Sequence, residues 1–466
     1  MSKPSILKNS ALIAAAILAF TSTSTYAQTA TGHWQVKQQW VAAHEAFLAG
    51  DALRGRGSAT PDEGVAAAYV AAMFQGYGLT TAPGMTSYLQ TAGVTKTTPS
   101  GHTTLTVGGV TLTQGQSLTV LLTSGTSQTG SLALAETPAT TPAASVLLIA
   151  PIEGQGLGPV IGGAIEGGAK LLILRETDSL KALAARRGPP RPSFALSNEA
   201  VSGMSGGPSP DVVMVSAAAY DRLKAMAGAT ASIDPGAVQR VETVTTNAIG
   251  FLPGSDPAAG VLLISAHLDH LGVRPDGTIM HGANDDASGT TAVLELAHAL
   301  ASGEAHRRGI LFVAYGSEEI GGLGSTYFGE HPPVPLTDIV ANLEIEMIGA
   351  QDPKMEPGVM MMTGFDRSNF GPTLKQKGAL VAPDLYPEQN FFQRSDNYSL
   401  ALKGIVAHTI SGWAVTPTYH SPDDDIAHLD LPFMTRAIQS LIEPLRWMAS
   451  SDFTPEWAPG GRPEPR

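Results

Sequence analysis

Five side chains of metal-binding type stand at or just after the ends of apolar runs in the second half of the chain. "GVLLISA" (260–266) leads into "AHLDHLG" with His267 and Asp269, and "RGILFVAY" (308–315) into "YGSEEIGG" with Glu318 and Glu319. "DIVANLEIEM" (338–347) carries Glu346 near its end, and "KGIVAHTI" (403–410) precedes a loop, "YHSPDDD", with His420. "GANDDASG" (282–289) sets Asp285 beside Asp286 between glycines, ahead of a helical run. Imidazole and carboxylate donors without thiols suit zinc or a similar divalent ion. His267, Asp285, Glu319, Glu346 and His420 supply enough donors for two ions, one carboxylate bridging them at the ~3.5–4 Å spacing of two-metal sites. Each piece also has a plain reading. Asp285 and Asp286 suit helix caps that offset the dipole, Glu318-Glu319 suits a solvated pair, and a lone His420 suits a structural role. Glu346 resists such a reading, because a carboxylate at the end of an apolar strand is costly to bury without a partner. The coincidence of all five favours a metal site.

The elements that must position these residues are near-continuous apolar strands alternating with helices. "GTTAVLELAHALA" (289–301) puts Val293, Leu296, Ala297 and Leu300 on one face. The pattern predicts an α/β fold with a mostly parallel central sheet flanked by helices, in which sites form at the carboxyl ends of the strands. Upstream, 33–80 predicts two helices, with Ala66, Tyr69, Val70 and Met73 at helical spacing. From 98 the composition shifts to Thr, Ser and Gly, and "TTLTVGGVTLT" predicts short strands. Strand-like "SVLLIA", "KLLILR" and "DVVMVS" alternate with helix-like stretches and a Pro-rich loop, "RGPPRPSFALS", over 145–230, a small α/β unit of its own. The expected organisation is a leader at 1–27, an N-terminal helical part at 28–97, an insertion at 98–240, the site-bearing domain at 241–450 and a flexible Pro/Gly-rich tail at 451–466.

The chain has 466 residues, 43% of them hydrophobic, enough for two or three domains with real cores. Lys3 and Lys8, the apolar stretch 11–20 and a small-residue site at Thr25-Tyr26-Ala27 read as a secretory signal peptide. The protein is therefore expected to be exported, periplasmic or secreted, with no stable membrane association after cleavage. It has no cysteine, which excludes disulfides and a lipidated-cysteine anchor. The formal charge of −13 argues against nucleic acid or anionic membrane as a partner.

The series "AHLDHLG", "GANDDASGTTAVLELA", "YGSEEIGGLGS", "NLEIEMIG" and "TYHSPDDD", in this order, resembles the co-catalytic dizinc aminopeptidase family. These zinc exopeptidases are related to glutamate carboxypeptidase, the transferrin receptor ectodomain and the glutaminyl cyclases. The resemblance implies a zinc-exopeptidase, phosphorylase/hydrolase-like fold. The unit at 98–240, with "EGGAKLLILR" and "PDVVMVSAAAYDRL", looks like the protease-associated domain that members carry as an insertion. It further implies two zinc ions per chain, bridged by Asp285, with His267 and Glu346 completing one shell and Glu319 and His420 the other. Asp269 would accept the second imidazole N–H of His267, Asp286 would support the helix start, and Asp424 would brace the His420 side. Glu318 would act as general base, taking the proton of the attacking water and passing it to the leaving amine. The implied substrates are peptides with a free N-terminus. Carboxypeptidase, dipeptidase and glutaminyl cyclase are the alternatives within the family.

Two positions depart from the family pattern. Glu346 stands where many members have Asp, and Phe392 in "FFQRSDNYS" stands where aminopeptidases place a tyrosine, with Arg394 or Tyr398 as possible substitutes. Among competing motifs, "GMSGG" (203–207) matches a nucleophile elbow with Ser205 but lies in a loop by composition. "GQGLG" (154–158) lacks the rest of a dinucleotide fingerprint.

Overall fold

A computed structural model describes residues 34–135, 142–151, 153, 161, 164, 167–187, 192–197 and 210–464. The leader, Ser205 and the "GQGLG" stretch lie outside the described residues. Two long strands, β1 (Leu89–Pro99) and β11 (Val238–Leu252), pair antiparallel along the whole of β1, from Leu89 opposite Ala248 to Pro99 opposite Val238. Between them run β2 (Thr104–Val107), β3 (Val110–Thr113), β4 (Leu118–Leu122), β5 (Gln128–Ala135), β6 (Val146–Ile149), β7 (Leu171–Arg175), β8 (Ser193–Leu196), β9 (Asp211–Val215) and β10 (Thr230–Asp234). All of these except β8 form an eight-stranded sheet in the order β3-β2-β10-β5-β6-β7-β9-β4. Its two faces bury separate apolar clusters, one around Leu132, Leu148 and Val213, the other around Leu147, Ile149 and Leu172.

After β11 come β12 (Val261–His267), the short hairpin β13 (Gly272–Val273) with β14 (Ile279–Met280), β15 (Gly309–Tyr315), β16 (Ile339–Ile345), β17 (Met360–Met362), β18 (Val381–Pro383) and β19 (Ala407–Ser411). The larger sheet runs β18-β17-β19-β16-β12-β15-β11-β1-β8. Its centre, β19-β16-β12-β15, is parallel, as is β18 with β17, whereas β17-β19, β15-β11, β11-β1 and β1-β8 are antiparallel. The expected mostly parallel sheet is thus mixed. Neighbours joined by helical crossovers must be parallel, whereas β1 and β11, which lead to the eight-stranded sheet and return from it, lie antiparallel. The stretch "RPSFALS", expected as loop, supplies β8, which pairs with β1 in the larger sheet rather than joining the eight-stranded one.

Every residue of β12 and β15 is buried, because helices cover both faces. Leu263, Leu311 and Val313 pack with Phe328, Leu400 and Ala401 of the helices Leu323–Glu330 and Asn397–Leu402. The helix Ser288–Ala301 lies against β12 and carries the helices Gln38–Leu48 and Leu431–Ser450 on it. The helix Pro61–Gly76 begins where proline costs no hydrogen bond and acids meet the positive end of the dipole. It packs on β11, and Val36–Arg466 is one compact unit. The tail, expected to be mobile, is tied down at several points. Trp457 Nε1 donates to Gly404 O at 3.0 Å, Ala458 N to Arg367 O at 2.8 Å, and the indole packs on Phe392. An indole offers more apolar area than an unstructured tail leaves in water, and sequence composition alone does not show it. Among the described residues no helix is long and apolar enough to cross a membrane.

Candidate metal centre

The carboxyl ends of β12, β15 and β16 point their loops at one spot, and the chain brings its acids and imidazoles there. His267 closes β12 with Nε2 3.3 Å from Asp285 Oδ1. The other Asp285 oxygen, Oδ2, faces His420 Nε2 at 3.2 Å and His270 Nδ1 at 3.8 Å. Glu319 Oε2 lies 3.0 Å from His420 Nε2, and its Oε1 2.8 Å from His270 Nδ1. Two donor groups result, each within 4.8 Å: His267, Asp285 and Glu346, and His270, Asp285, Glu319 and His420. Asp285 belongs to both, one oxygen toward each. All five donors expected from the sequence are therefore together, and His270, quoted in "AHLDHLG" but assigned no role, stands among them. The signal for it was a second histidine three residues after His267.

Around the donors, buried acids and one guanidinium fix the loops. Asp286 accepts from Gly289 N and Met347 N at 2.9 Å each and from His267 N at 3.3 Å, so it supports the helix start, as expected, and also ties it to β12 and to the loop after β16. Gly289 is required there, because a Cβ would come within 2.0 Å of Ile345 O. Asp269 differs from expectation. Its Oδ1 is 3.6 Å from His267 Nδ1, outside hydrogen-bond reach, and its carboxylate instead accepts Glu318 N at 2.9 Å, Glu319 N at 3.3 Å and Ser58 Oγ at 2.5 Å. The turn after β15 presents two N–H groups closer than the imidazole, and the carboxylate binds those. Asp424 likewise braces the Asp285 loop rather than His420, accepting Asn284 N at 2.8 Å and Asp285 N at 3.1 Å. Burial, with Asp285 adding, pushes its carboxyl up to about 6.

The N-terminal segment supplies two further braces that sequence reasoning missed. Arg56, fully buried, donates to Leu48 O, Leu268 O, His281 O and Gly282 O at 2.6–2.8 Å. Glu63 accepts from Ala59 N, Ser317 Oγ, Thr245 Oγ1 and Thr246 N at 2.7–3.0 Å. Burial, with Asp269 nearby, pushes the Glu63 carboxyl up to about 8. Neither carried a local sequence signal, since their partners lie up to about 250 residues away.

Glu318 sits beside the donors. Burial raises its carboxyl well above the usual range, Glu319 adds to the rise and His267 opposes it. Burial also raises Glu346, against the pull of His267. Burial works against protonation of His420, but the carboxylates of Asp285 and Glu319 beside it push it up to about 10. A pocket opens here, its wall including Asp285, Glu318, Glu346, Met361, Arg394 and Tyr419. Of the two substitutes considered for the missing tyrosine, Arg394 lines this pocket, whereas Tyr398 is buried against Phe392 in the core. Tyr419, directly before His420 and stacked on it at 3.8 Å, is the tyrosine the pocket does hold.

The arrangement fits cations. His267 Nε2, both ring nitrogens of His270 and Asp285 Oδ2 are buried without hydrogen bonds. Buried donors and clustered carboxylates of this kind are costly unless a positive charge answers them.

Residues 247–443 match the profile of peptidase family M28. Curated relatives include Aminopeptidase YwaD of Bacillus subtilis (strain 168), 30% identical over 179 residues, which are 36% of this chain and 37% of the relative. Leupeptin-inactivating enzyme 1 of Streptomyces exfoliatus is 36% identical over 109 residues, 23% of each chain. The match thus spans well under half the length of these relatives. Among solved structures, the aminopeptidase from Aneurinibacillus sp. strain AM-1 superposes with a TM-score of 0.56 at 19% identity, covering 89% of this chain and 95% of that one. BSAP, a zinc aminopeptidase from Bacillus subtilis, gives 0.51 at 17% identity, covering 90% and 97%. These superpositions establish a shared fold.

Proposed function

We propose that this protein, whose residues 247–443 match the profile of peptidase family M28, is an exported zinc-dependent aminopeptidase carrying two ions. The observation that carries the reading is Asp285, with one oxygen toward each donor group, next to Glu318 and an open pocket. His267, Glu346 and Asp285 would hold one ion, and Asp285, Glu319 and His420 the other. Bound zinc would supply Lewis acidity, lowering the pKa of water toward ~7 and polarising the scissile carbonyl. Glu318 is the general base: burial raises its carboxyl above the usual range and so strengthens it as a proton acceptor, and it takes the proton of the attacking water and returns it to the leaving amine. Asp269 holds Glu318 in place through its backbone N–H. The acids in the pocket wall suit a substrate's free α-amino group, and the relatives' names point the same way.

Export rests on the leader at 1–27, and the eight-stranded unit is read as a protease-associated-like insertion. A second reading, carboxypeptidase or dipeptidase, draws on Arg394, whose guanidinium lines the same pocket over Phe391 at 5.0 Å and offers a clamp for a substrate carboxylate. The deciding experiment compares aminoacyl-p-nitroanilides, their N-acetylated forms and free dipeptides, with metal removed and zinc restored. Cleavage of free-amine anilides that disappears on chelation and returns with zinc supports the aminopeptidase. Cleavage confined to substrates with a free carboxylate supports the second reading. No cleavage by a zinc-loaded chain would sink both.

A further inference from the structure

Within the two-zinc reading, on which this step rests, we infer that His270 is a sixth metal ligand and that it makes the two positions unequal. One position is closed by four protein donors, and the other, with three, opens on the substrate pocket. His270 is fully buried, with Nδ1 2.8 Å from Glu319 Oε1 and 3.8 Å from Asp285 Oδ2. A buried imidazole this close to a carboxylate ordinarily donates to it. Here neither ring nitrogen makes a hydrogen bond, which is the arrangement produced when a nitrogen lone pair and a carboxylate oxygen converge on a common third atom.

The ring is held from behind. His270 N donates to Arg56 O at 3.1 Å, its carbonyl accepts from Ser58 N at 3.2 Å, and the ring lies flush on Gly282. A Cβ at Gly282 would sit 2.4 Å from the ring Cγ and 2.3 Å from Asp285 O, so only glycine lets ring and bridging loop approach this closely.

Four protein donors fill a tetrahedral zinc shell, and three leave a position for water or substrate. The pocket wall agrees with that division. Glu346 lines it with Glu318 and the shared Asp285, while His267, His270, Glu319 and His420 do not, so of the unshared donors only one from the three-donor position faces the pocket. The His270, Asp285, Glu319 and His420 position is therefore the tighter one and fills first. The His267, Asp285 and Glu346 position fills second, exchanges faster and faces the general base.

The test strips the purified chain of metal and titrates it with Co²⁺, following the visible ligand-field band, and with Zn²⁺ by calorimetry. Two resolved steps are expected, and His270→Ala should weaken the first by about 100-fold or more, beyond what outer partners of a ligand cost, and change its band. His267→Ala should instead remove the second step and spare the first. His270→Asp returns an oxygen near the place of Nδ1 and should restore much of the first step with a shifted band. If His270→Ala keeps both affinities and the band while its metal-free melting matches wild type, the ligand assignment is overturned and the two-zinc reading stands. If wild type takes up fewer than two ions, that reading fails instead. Should His270→Ala not fold, the aspartate variant decides: an unshifted band overturns the assignment, and a shifted band upholds it.

Discussion

The strands β12, β15 and β16 of the larger sheet and β6, β7 and β9 of the smaller one are alike in kind. All are short, apolar, almost wholly buried and parallel to a neighbour. Both groups are followed by carboxylates, and there the two sheets diverge. After β6 and β7, Glu153 accepts Asp178 N and Ser179 N at 3.0 and 2.9 Å, and Glu176 accepts Ala217 N at 3.0 Å, so each acid is absorbed as a cap at the edge of a loop. After β12, β15 and β16, acids meet imidazoles that have no other partner, and the braces Asp269, Asp286, Asp424 and Arg56 take up the backbone donors and acceptors that would otherwise satisfy them. A carboxylate at a strand end is thus a cap or a ligand according to what converges on it.

Changes at matched places test that contrast. The largest effect is expected from Glu318→Gln, which should lower kcat by about 10²–10⁴-fold with two ions retained, read by steady-state kinetics beside metal analysis. Loss of metal together with activity would show that Glu318 is a ligand rather than the base. In the smaller sheet, Leu148→Ala empties fully buried volume and should cost about 2–5 kcal/mol while leaving zinc affinity unchanged; a shift in metal binding would mean the two sheets are energetically coupled.

A pH effect of intermediate size comes from His408 on β19, buried between Ser368 Oγ at 2.7 Å and Thr363 O at 2.9 Å. Burial pushes its imidazole down to about 4, against the pull of the Thr363 carbonyl. The unfolded chain, with an imidazole near 6.5, takes up the proton first. Stability is therefore full above about pH 6.5 and falls as pH drops toward 4, by up to about 3 kcal/mol. Urea unfolding across this window should show the slope, and His408→Asn should flatten it. The smallest effect belongs to Glu176→Gln, the cap after β7, at no more than about 1 kcal/mol with unchanged activity; a large loss of activity would contradict the division drawn between the sheets.

Much of the site was legible because β-strands announce their ends. In "GVLLISAHLDH" the apolar run stops at His267, and in "RGILFVAYGSEE" it stops three residues before Glu318, so polar residues there must face a loop region. What escaped was set by contacts between distant segments. Asp269 was expected to hold an imidazole two residues away, but the turn after β15 offered it better donors 49 and 50 residues on. β8 read as loop because its four residues are a strand only through pairing with β1.

The sequence by itself determined which residues stand at the carboxyl ends of the central strands, since apolar runs and the glycines after them fix where each strand stops. It also determined the donor chemistry, imidazole and carboxylate without thiol. Only the tertiary structure decided that the outer strands run antiparallel, that Arg56 and Glu63 reach across from the N-terminal helices to hold the loops, and that His270 turns toward Glu319. The reason is physical: local propensity sets where an element ends, while the direction of a loop side chain depends on which distant donors and acceptors arrive to compete for it.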